Sequence, residues 1–390
     1  MTPFQKDIIS IVRAALAGKV PELSDGVDYS RIYNFAVKHQ IVCILYEGLV
    51  GREDFKADGI YQKFYMTACG FLSLNMRQQH ELAIVKAEFE KSGIDYALIK
   101  GSVIREYYPR PELRTMSDAD VLIKETQRDK IEQVMNVCGF VPNEEDSHTT
   151  VWDKKNSLHL ELHKHLLPPE SDLFGYYKNR EWSLMENITE HGYGMSPEDM
   201  FIYIMLHFVK HLRFSGAGVR NIIDFYVYFD HFKDLDEKYI YGEFEKLGLC
   251  RFYDNIKSLI KNWFYGAEET EITNKLTEML FSSGIYGNTA TNEKSSAALY
   301  SKKYKHGRLV RLKEMIFPNT DTMKRYYPIT ERAPILLPFM YIARWFEIVF
   351  KRPENIKRAA KTIGDMTDEI ARQRNAELES VGLKIYFKQD

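Results

Sequence analysis

The stretch RTMSDADVLI, residues 114–123, decides the fold prediction because two aspartates lead directly into an apolar run. Asp118 and Asp120 are two residues apart. Successive side chains of a β-strand point to opposite faces of the sheet, so a strand here places both carboxylates on one face, opposite Ala119 and Val121. A strand does not need paired carboxylates at the start of its apolar run, so the pair indicates a functional role.

The stretch SLHLELHKH, residues 157–165, reads as a second strand with the same alternation. Its leucines take one face, and His159, Glu161 and His163 take the other. If the two strands are neighbours, Glu161 approaches the two aspartates. Three clustered carboxylates repel one another unless a cation neutralises them, and Mg²⁺ or Mn²⁺ suits such oxygen ligands. The pattern therefore predicts a divalent-metal site on an open face of a sheet.

The stretch LIKGSVI, residues 98–104, places Gly101 and Ser102 between a predicted strand and a predicted helix. A glycine at such a turn lets phosphate oxygens approach the backbone, and a helix N-terminus favours anions. Together with the acidic face, this turn predicts a site that holds a metal ion and, through it, a nucleoside triphosphate.

The order of these motifs resembles the polymerase-β-like nucleotidyltransferase superfamily, whose pattern is a Gly-Ser or Gly-Gly turn, an acid-x-acid strand and a third acid on a later strand. The matching residues are Lys100-Gly101-Ser102, Arg114 with Asp118-Ala119-Asp120, and Glu161-Leu162-His163. More narrowly, residues 5–235 look similar to the bacterial branch described as uncharacterised nucleotidyltransferases, and the rest of the chain only weakly so. The flanks agree, with FAVKHQI at 35–41 and, after the third acid, the polar residues His207, His211, Arg220 and Asp224.

The resemblance implies an activity and a role for each motif. The metal ligands would be Asp118, Asp120 and Glu161, and the last would also orient or deprotonate the attacking hydroxyl. The nucleotide-binding residues would be Lys100, Gly101, Ser102 and Arg114. A nucleoside monophosphate would move from an NTP such as ATP to the hydroxyl of a small molecule, a sugar, a protein or an RNA end, and pyrophosphate would leave. Ala119 is often a larger aliphatic residue in this pattern, but it lies on the opposite face, so we expect activity to be kept.

Each motif also has a structural interpretation. The aspartate pair is typical of a capped strand end, the third acid of a solvated hairpin, and the Gly-Ser pair of an ordinary turn. Lys100 is either a phosphate contact or a solvated strand residue, and Arg114 either binds the triphosphate or pairs with Glu112 or with the carboxylates. Two interpretations, a lining of the cleft or structural bonds between helices, account for His207, His211, Arg220 and Asp224, and His163 is predicted at the cleft as a second partner of the metal site. A second hypothesis keeps the fold in a nucleotide- or partner-binding regulatory protein, antitoxin-like, with little turnover.

The length, net charge, cysteine pattern and apolar segments of the sequence argue against several classes of protein. The 390 residues carry a net charge of -2, which argues against a whole-surface field for nucleic acid. The four cysteines are scattered without a CxxC pair, which favours reduced thiols in a cytoplasmic protein. The most apolar window, 334–350, is interrupted by Pro338, Arg344 and Glu347, so it predicts a buried helix and no membrane span. The basic run at 302–313 is compatible with RNA binding, but a solvated helix face is the favoured interpretation.

The change of periodicity along the chain predicts an α+β fold. A small mixed-sheet core is flanked by large helical regions, and the predicted division is 1–92, 93–166 and 167–390. A long helix at about 60–92 ends at Ser92-Gly93. Further helices are predicted after residue 196, among them 240–265, 306–316 and 353–378.

Overall fold

The computed structural model describes residues 1–146, 148–169 and 171–284, together with 295, 313, 316–318, 320, 323, 327, 329–351 and 368–384. The chain divides into two compact units. The first is Met1–His211 with Gly216–Tyr286, and the second is Leu212–Ser215 with Gly287–Asp390. The mixed sheet and all the motifs of the predicted core lie in the first unit. The predicted division of the chain at residues 92 and 166 stays a prediction.

A seven-stranded mixed sheet forms the centre of the first unit, with the order β3-β4-β5-β2-β1-β7-β6. Its strands are β1 Tyr96–Ile99, β2 Ala119–Ile123, β3 Val141–Glu145, β4 Thr149–Asp153, β5 His159–His163, β6 Met185–Asn187 and β7 Gly192–Met195. The pairs β2–β5 and β1–β7 are parallel, and the other neighbours are antiparallel. The predicted α+β class and mixed sheet are confirmed.

Helices precede and follow the strands of this sheet along the sequence, as predicted. Up to residue 283 they are α1 Pro3–Ala17, α2 Tyr29–His39, α3 Val42–Leu49, α4 Glu53–Ala57, α5 Tyr61–Ser92, α6 Gly101–Ile104, α7 Arg128–Val137, α8 Phe174–Tyr177, α9 Pro197–Phe214, α10 Arg220–His231, α11 Glu237–Lys246, α12 Cys250–Tyr265 and α13 Glu271–Ser283. The described helices of the second unit are α14 Ile329–Arg332, α15 Leu337–Lys351 and α16 Asp368–Ser380. Among the described residues, none of the helices is long and apolar enough to cross a membrane.

One face of the sheet packs against α5 and α7 to form a hydrophobic core. β2 contributes Ala119, Val121 and Ile123 to this core, and β5 and the residue before it contribute Leu158, Leu160 and Leu162. Burying one such leucine or valine contributes about 1.5–3 kcal/mol to folding. The alternation predicted from the sequence is therefore confirmed, and it leaves the opposite face of both strands free for polar side chains.

Glycines in the left-handed backbone conformation mark the ends of two helices. α5 ends at Ser92 because Gly93 takes φ +63°, as the sequence predicts. The single helix predicted at 240–265 is wrong, because Gly248 takes φ +63° and separates α11 from α12. Helical periodicity continues across this break, which is why the sequence pattern misses it.

Three strands are not predicted by the sequence pattern, and all are short or at an edge. β3 has the sequence VPNEE and is exposed along its whole length, so burial imposes no alternation on it. β6 and β7 have only three and four residues. They extend the sheet to Met195, beyond the predicted core boundary at residue 166.

The predicted helix at 306–316 and the basic run 302–313 lie outside the described residues except for Lys313 and Ile316.

Gly48 provides a test of helix packing in the first unit. A Cβ at this position of α3 would overlap the Ile11 carbonyl oxygen of α1 and lie 2.8 Å from Ile11 Cγ2. We expect Gly48→Ala to lower the free energy of unfolding by about 1–3 kcal/mol because the two helices must separate. Gly70→Ala is the control, since this exposed glycine of α5 has no atom within 4 Å of its Cβ position. It should raise stability by about 0.5–1 kcal/mol, and equal urea midpoints for the two variants would contradict the packing.

Candidate active site

The acidic residues are brought together by the pairing of β2 with β5. The strands are parallel neighbours, and in their register Asp120 pairs with Glu161 while Leu122 pairs with His163. Asp118 directly precedes β2, on the same face as Asp120. One face of two adjacent strands therefore carries three carboxylates and an imidazole.

The tightest part of this arrangement contains Asp120, Glu161 and His163. His163 Nε2 lies 2.7 Å from Asp120 Oδ1 and 3.3 Å from Glu161 Oε2. One ligand atom from each of the three residues lies within 4.8 Å of the others. Asp118 is not a member of this group, which is the compact metal-ligand cluster found among the described residues.

A cavity of about 340 Å³ lies in front of this face and is closed on its far side by α9 and α10. All the predicted site residues except Ser102 line it, namely Lys100, Gly101, Arg114, Asp118, Asp120, Glu161, His163, His207, His211, Arg220 and Asp224. Sequence reasoning missed the other lining residues, which are Ile104, Met116, Ser117, His148, Thr149, Ile204, Lys210, Asn221 and Phe225. The cavity thus gathers residues that are more than a hundred positions apart in the chain.

Lys100 is the internal cation of the site. Its ammonium donates to Asp120 Oδ1 at 2.7 Å and lies 3.4 Å from His163 Nε2. Burial lowers the pKa of Lys100, but Asp120, with smaller contributions from Tyr203 and Glu161, raises it overall. Burial alone raises the pKa of Asp120, but the charge of Lys100 and the bond to His163 hold it well below its usual range. Lys100 is therefore a buried partner of the acidic face, and the solvated interpretation is wrong.

The pKa values of the other two carboxylates are shifted in opposite directions. Burial, and then the charges of Asp120 and Glu161, raise the pKa of Asp118. The hydrogen bond from His163 lowers the pKa of Glu161, against the effect of burial. Burial is thus the main cause of the raised pKa of Asp118, and the two neighbouring carboxylates add to it, whereas a bound cation would oppose both effects.

Arg114 forms a buried two-point ion pair with Asp224 of α10. Its Nε and Nη2 donate to the two carboxylate oxygens at 2.8 and 2.9 Å, and the Tyr108 hydroxyl donates to Oδ1 at 2.7 Å. The guanidinium packs over Gly101, where a Cβ would lie 2.6 Å from Arg114 Nη1. The position of the Arg114 guanidinium therefore favours glycine at residue 101. The pair joins α10 to the segment that enters β2.

Ser102 is placed behind the acidic face. It is 4% exposed, and its Oγ accepts a hydrogen bond from the Asp120 backbone N–H at 3.3 Å. It lines a separate, largely apolar cavity on the other side of the turn. The serine thus fixes the backbone of β2 at the position from which the Asp120 carboxylate projects.

Comparison with known protein families decides the class of this site. Residues 25–265 match the family described as uncharacterised nucleotidyltransferase. The chain belongs to this nucleotidyltransferase family. The matched stretch contains the acidic face, the glycine turn and the whole cavity lining, so the family supports nucleotidyl transfer as the activity class. No curated protein and no solved structure is detectably similar to the chain.

The histidines of α9 line the nucleotidyltransferase cavity and contact each other. His207 and His211 are one helical turn apart, with 3.2 Å between their Nε2 atoms. Burial lowers the pKa of both, that of His211 to about 3, with a smaller contribution from the charge of Lys210. Both imidazoles are therefore neutral at physiological pH. Both histidines line the cavity, and their contact with each other lies within α9 and does not join two helices.

The motif at 35–41 contacts Arg220 of the cavity lining through Gln40, which takes φ +51° after α2. Its backbone carbonyl accepts a hydrogen bond from the Thr115 hydroxyl, and its Oε1 accepts from Arg220 Nη1 at 3.3 Å. Arg220 Nη1 also donates to the Thr115 carbonyl at 3.1 Å. Burial, and then the nearby Arg114 charge, lower the pKa of Arg220 to about 10. The N-terminal helices therefore help to position the segment that enters β2.

Two residues behind His163 were missed by sequence reasoning. His163 Nδ1 lies 3.2 Å from His148 Nε2 and 3.3 Å from Thr149 Oγ1. Burial, with the neighbouring His163 and Lys100, lowers the pKa of His148 to about 2. The only sequence signal was the predicted strand starting at Thr149, because a single histidine before it has no informative spacing. The antiparallel pairing of β4 with β5 supplies the contact.

Asp224 provides a test of the buried ion pair. We expect Asp224→Ala to lower the free energy of unfolding by about 3–5 kcal/mol, because it leaves the buried Arg114 charge unpaired. Asp230→Ala on the same helix is the control, since Asp230 and its partner Lys233 are 57% and 63% exposed. It should cost less than about 1 kcal/mol in urea unfolding. Equal losses for the two variants would show that the buried pair does not hold α10 in place.

His211 provides a test of the acid sensitivity of the fold. The unfolded chain protonates this side chain near its ordinary pKa of about 6.5, whereas the folded state does so only near 3. The unfolded state binds more protons between these values, so His211 makes stability fall as pH decreases through that window. We expect His211→Gln to reduce the slope of unfolding free energy against pH by up to about 1.4 kcal/mol per pH unit. The exposed His80 of α5, changed to Gln, is the control, and an unchanged slope in His211→Gln would contradict the neutral imidazole.

Proposed function

We propose that this chain is a metal-dependent nucleotidyltransferase that moves a nucleoside monophosphate from an NTP to a hydroxyl acceptor and releases pyrophosphate. The observation that supports this most directly is the parallel register of β2 and β5. It sets Asp120 beside Glu161, with Asp118 on the same face, at the wall of a closed-backed cavity. Membership of the family supplies the reaction class, and the arrangement of charges supplies the reason for a metal.

The donor set fits a hard divalent cation. Carboxylate oxygens are the ligands that Mg²⁺ and Mn²⁺ take in proteins, and three of them share this face. The charges of Asp120 and Glu161 add to burial in raising the pKa of Asp118, and a cation would offset this repulsion. We propose that Asp118, Asp120 and Glu161 hold Mg²⁺ or Mn²⁺. When bound, the ion would neutralise the charge of the triphosphate and of the leaving pyrophosphate.

The residues around the acidic face have separate proposed roles in the reaction. Glu161 stays ionised because His163 bonds to it, so it can orient the acceptor hydroxyl and take its proton. The hydroxyl oxygen forms a new bond to the α-phosphorus. The bond between the α-phosphorus and the oxygen that bridges it to the β-phosphorus breaks, and pyrophosphate leaves. Lys100, Gly101 and Arg114 would bind the triphosphate from the turn side of the cavity. Ser102 would act through the Asp120 backbone that it bonds.

We propose that the acceptor binds on the side of α9 and α10, because the triphosphate would occupy the turn side of the cavity. These helices present two neutral histidines and Arg220 to the acidic face across the cavity. The chemistry of this wall is compatible with hydrogen-bonding acceptors and does not select one class among small molecules, sugars, proteins and RNA ends. We also propose a cytoplasmic location, since all four cysteines are free.

Nucleotide binding is tested by thermal unfolding with each NTP, with and without Mg²⁺ or Mn²⁺. Preferential binding of the loaded nucleotide to the folded state at a hundredfold excess over Kd should stabilise it by about 2.7 kcal/mol. We expect such a metal-dependent shift with at least one NTP, and its loss in Glu161→Gln and in Asp118→Asn/Asp120→Asn. Glu144→Gln, on the exposed strand β3, is the matched control and should keep the shift.

Turnover is tested by pyrophosphate release with pools of the four acceptor classes. Release that depends on the metal, on one NTP and on one pool supports the transferase. Metal-dependent binding without release in any pool favours the second hypothesis, a nucleotide-binding regulatory protein with the same fold. No metal-dependent shift with any NTP in the wild type would contradict nucleotide binding in both hypotheses and leave the partner-binding form of the second.

A further inference from the structure

We propose that Arg220 of α10 binds an anionic group of the acceptor, and that the acceptor is therefore a hydroxyl compound that carries a phosphate. This inference rests on the proposed function and deepens it by naming the chemical class of the second substrate. Its basis is the position of the Arg220 guanidinium, which lines the cavity on the wall opposite the acidic face.

Only one nitrogen of the Arg220 guanidinium is used within the described part of the protein. Nη1 donates to Gln40 Oε1 at 3.3 Å and to the Thr115 carbonyl at 3.1 Å, and both acceptors are neutral. Across the residues that the structure describes, Nε and Nη2 have no hydrogen-bond partner, and no carboxylate forms an ion pair with the guanidinium. The side chain is half-buried and lines the cavity, so these two nitrogens can still donate to a ligand.

The carboxylates that attract Arg220 at longer range are Asp224 and Asp118. Asp224 is already bonded by Arg114 and Tyr108, and Asp118 would be a metal ligand under the proposed function. A metal ion on the acidic face would weaken the attraction that Asp118 exerts on the guanidinium. Arg220 therefore lacks a counter-ion of its own in the loaded site, and a bound anion would supply one.

Three features make this position unfavourable for a cation unless an anion binds beside it. Burial and the nearby Arg114 charge lower the pKa of Arg220 to about 10, so both destabilise the charged guanidinium. Arg220 is also the first residue of α10, at the positive end of the helix dipole, and the first turn has no acidic residue. A residue that breaks local rules in this way is expected at a functional site.

The geometry and charge of this wall favour a phosphate over a carboxylate. The planar guanidinium presents its Nε and Nη2 hydrogens side by side, which matches two oxygens of one oxyanion. Lys210 of α9 adds a second positive charge to the cavity lining, and its charge lowers the pKa of both His207 and His211. A phosphate monoester carries about −1.5 to −2 charges at pH 7, so it balances two cations better than a carboxylate does.

The competing source of the phosphate is the NTP itself. The proposed function places the triphosphate on the turn side of the cavity, beside Lys100, Gly101 and Arg114, whereas Arg220 belongs to the wall proposed for the acceptor. The two sources predict different competition. A phosphate site for the acceptor stays available when the nucleotide is bound, whereas a site for the terminal phosphate of the NTP is filled by the nucleotide.

The sources are separated by thermal unfolding of the full-length protein in inorganic phosphate at constant ionic strength, with and without Mg²⁺ and the α,β-methylene analogue of the bound NTP. We expect phosphate to stabilise the wild type in both conditions. Arg220→Gln should need a phosphate concentration about 10- to 100-fold higher for the same shift, because charge-assisted hydrogen bonds are lost, while its Kd for the analogue stays the same. Lys233→Gln is the matched control, since it removes the same charge just after α10 from a side chain that is 63% exposed, and it should behave as the wild type.

Stability without phosphate separates this role from a purely structural one. If the guanidinium only ties α10 to Gln40 and Thr115, Arg220→Gln loses the same stability with and without phosphate, and that result would overturn the proposal. If the guanidinium binds an anion, we expect the variant to be at least as stable as the wild type in phosphate-free buffer, because an uncompensated cation has been removed, and less stable in phosphate. Arg220→Lys keeps the charge without the two-pronged donor, and its phosphate affinity should lie between those of the wild type and Arg220→Gln.

The remaining outcomes distinguish this inference from the proposed function. Absence of a phosphate-dependent shift in the wild type would overturn the acceptor assignment and leave the proposed function standing. Loss of phosphate binding in the presence of the nucleotide analogue, with weaker analogue binding in Arg220→Gln, would assign Arg220 to the triphosphate and overturn the proposal in the same way. Failure of the wild type to bind any NTP would remove the proposed function itself, and the acceptor role with it.

Discussion

The register of β2 against β5 is the constraint on which the rest of the structure depends. A slip of one residue turns every side chain of a strand to the other face. Here a slip of β5 would move its leucines out of the core against α5 and α7 and bury His159, Glu161 and His163 in their place. Each exchanged leucine would forfeit about 1.5–3 kcal/mol, and each buried carboxylate would need a partner that the core does not have. The hydrophobic face thus sets the geometry of the polar face, and the acidic site is fixed by packing on the side of the sheet that it does not touch.

Opposite charges within the site offset part of the repulsion on the polar face. Lys100 pairs with Asp120 of this face, and Arg114 pairs with Asp224 of α10. Lys100 holds its position on a backbone with φ +51° and ψ -125°, a conformation that costs about 1–3 kcal/mol for a residue other than glycine. This strain persists because the Asp120 pair and the turn into α6 determine the conformation together. A metal that binds this face must therefore displace or share an internal partner, so its affinity reports on Lys100 as well as on the ligands.

The sequence could predict the features that are encoded by a local period. The alternation around Asp118 and Glu161 identified the two central strands, and Ser92-Gly93 identified the end of α5. It could not predict features that depend on which neighbour packs against a residue. Ser102 turned out to bond the Asp120 backbone, because the side-chain direction at the start of α6 is set by the fold and not by the motif. His148 became part of the site only through the pairing of β4 with β5, and Gly248 broke a helix whose apolar period continues on both sides.

The extent of the family match has a physical explanation in the hydrogen bonds around the entry to β2. Gln40 after α2, Thr115 before β2 and Arg220 on α10 bond to one another, while Arg114 bonds to Asp224 on the same helix. Elements before, within and after the sheet are therefore needed to hold one short segment in place. A sheet of the same sequence without the flanking helices would leave the Arg114 guanidinium without Asp224. The functional unit must then include helices on both sides of the core, which is what a match from residue 25 to residue 265 describes.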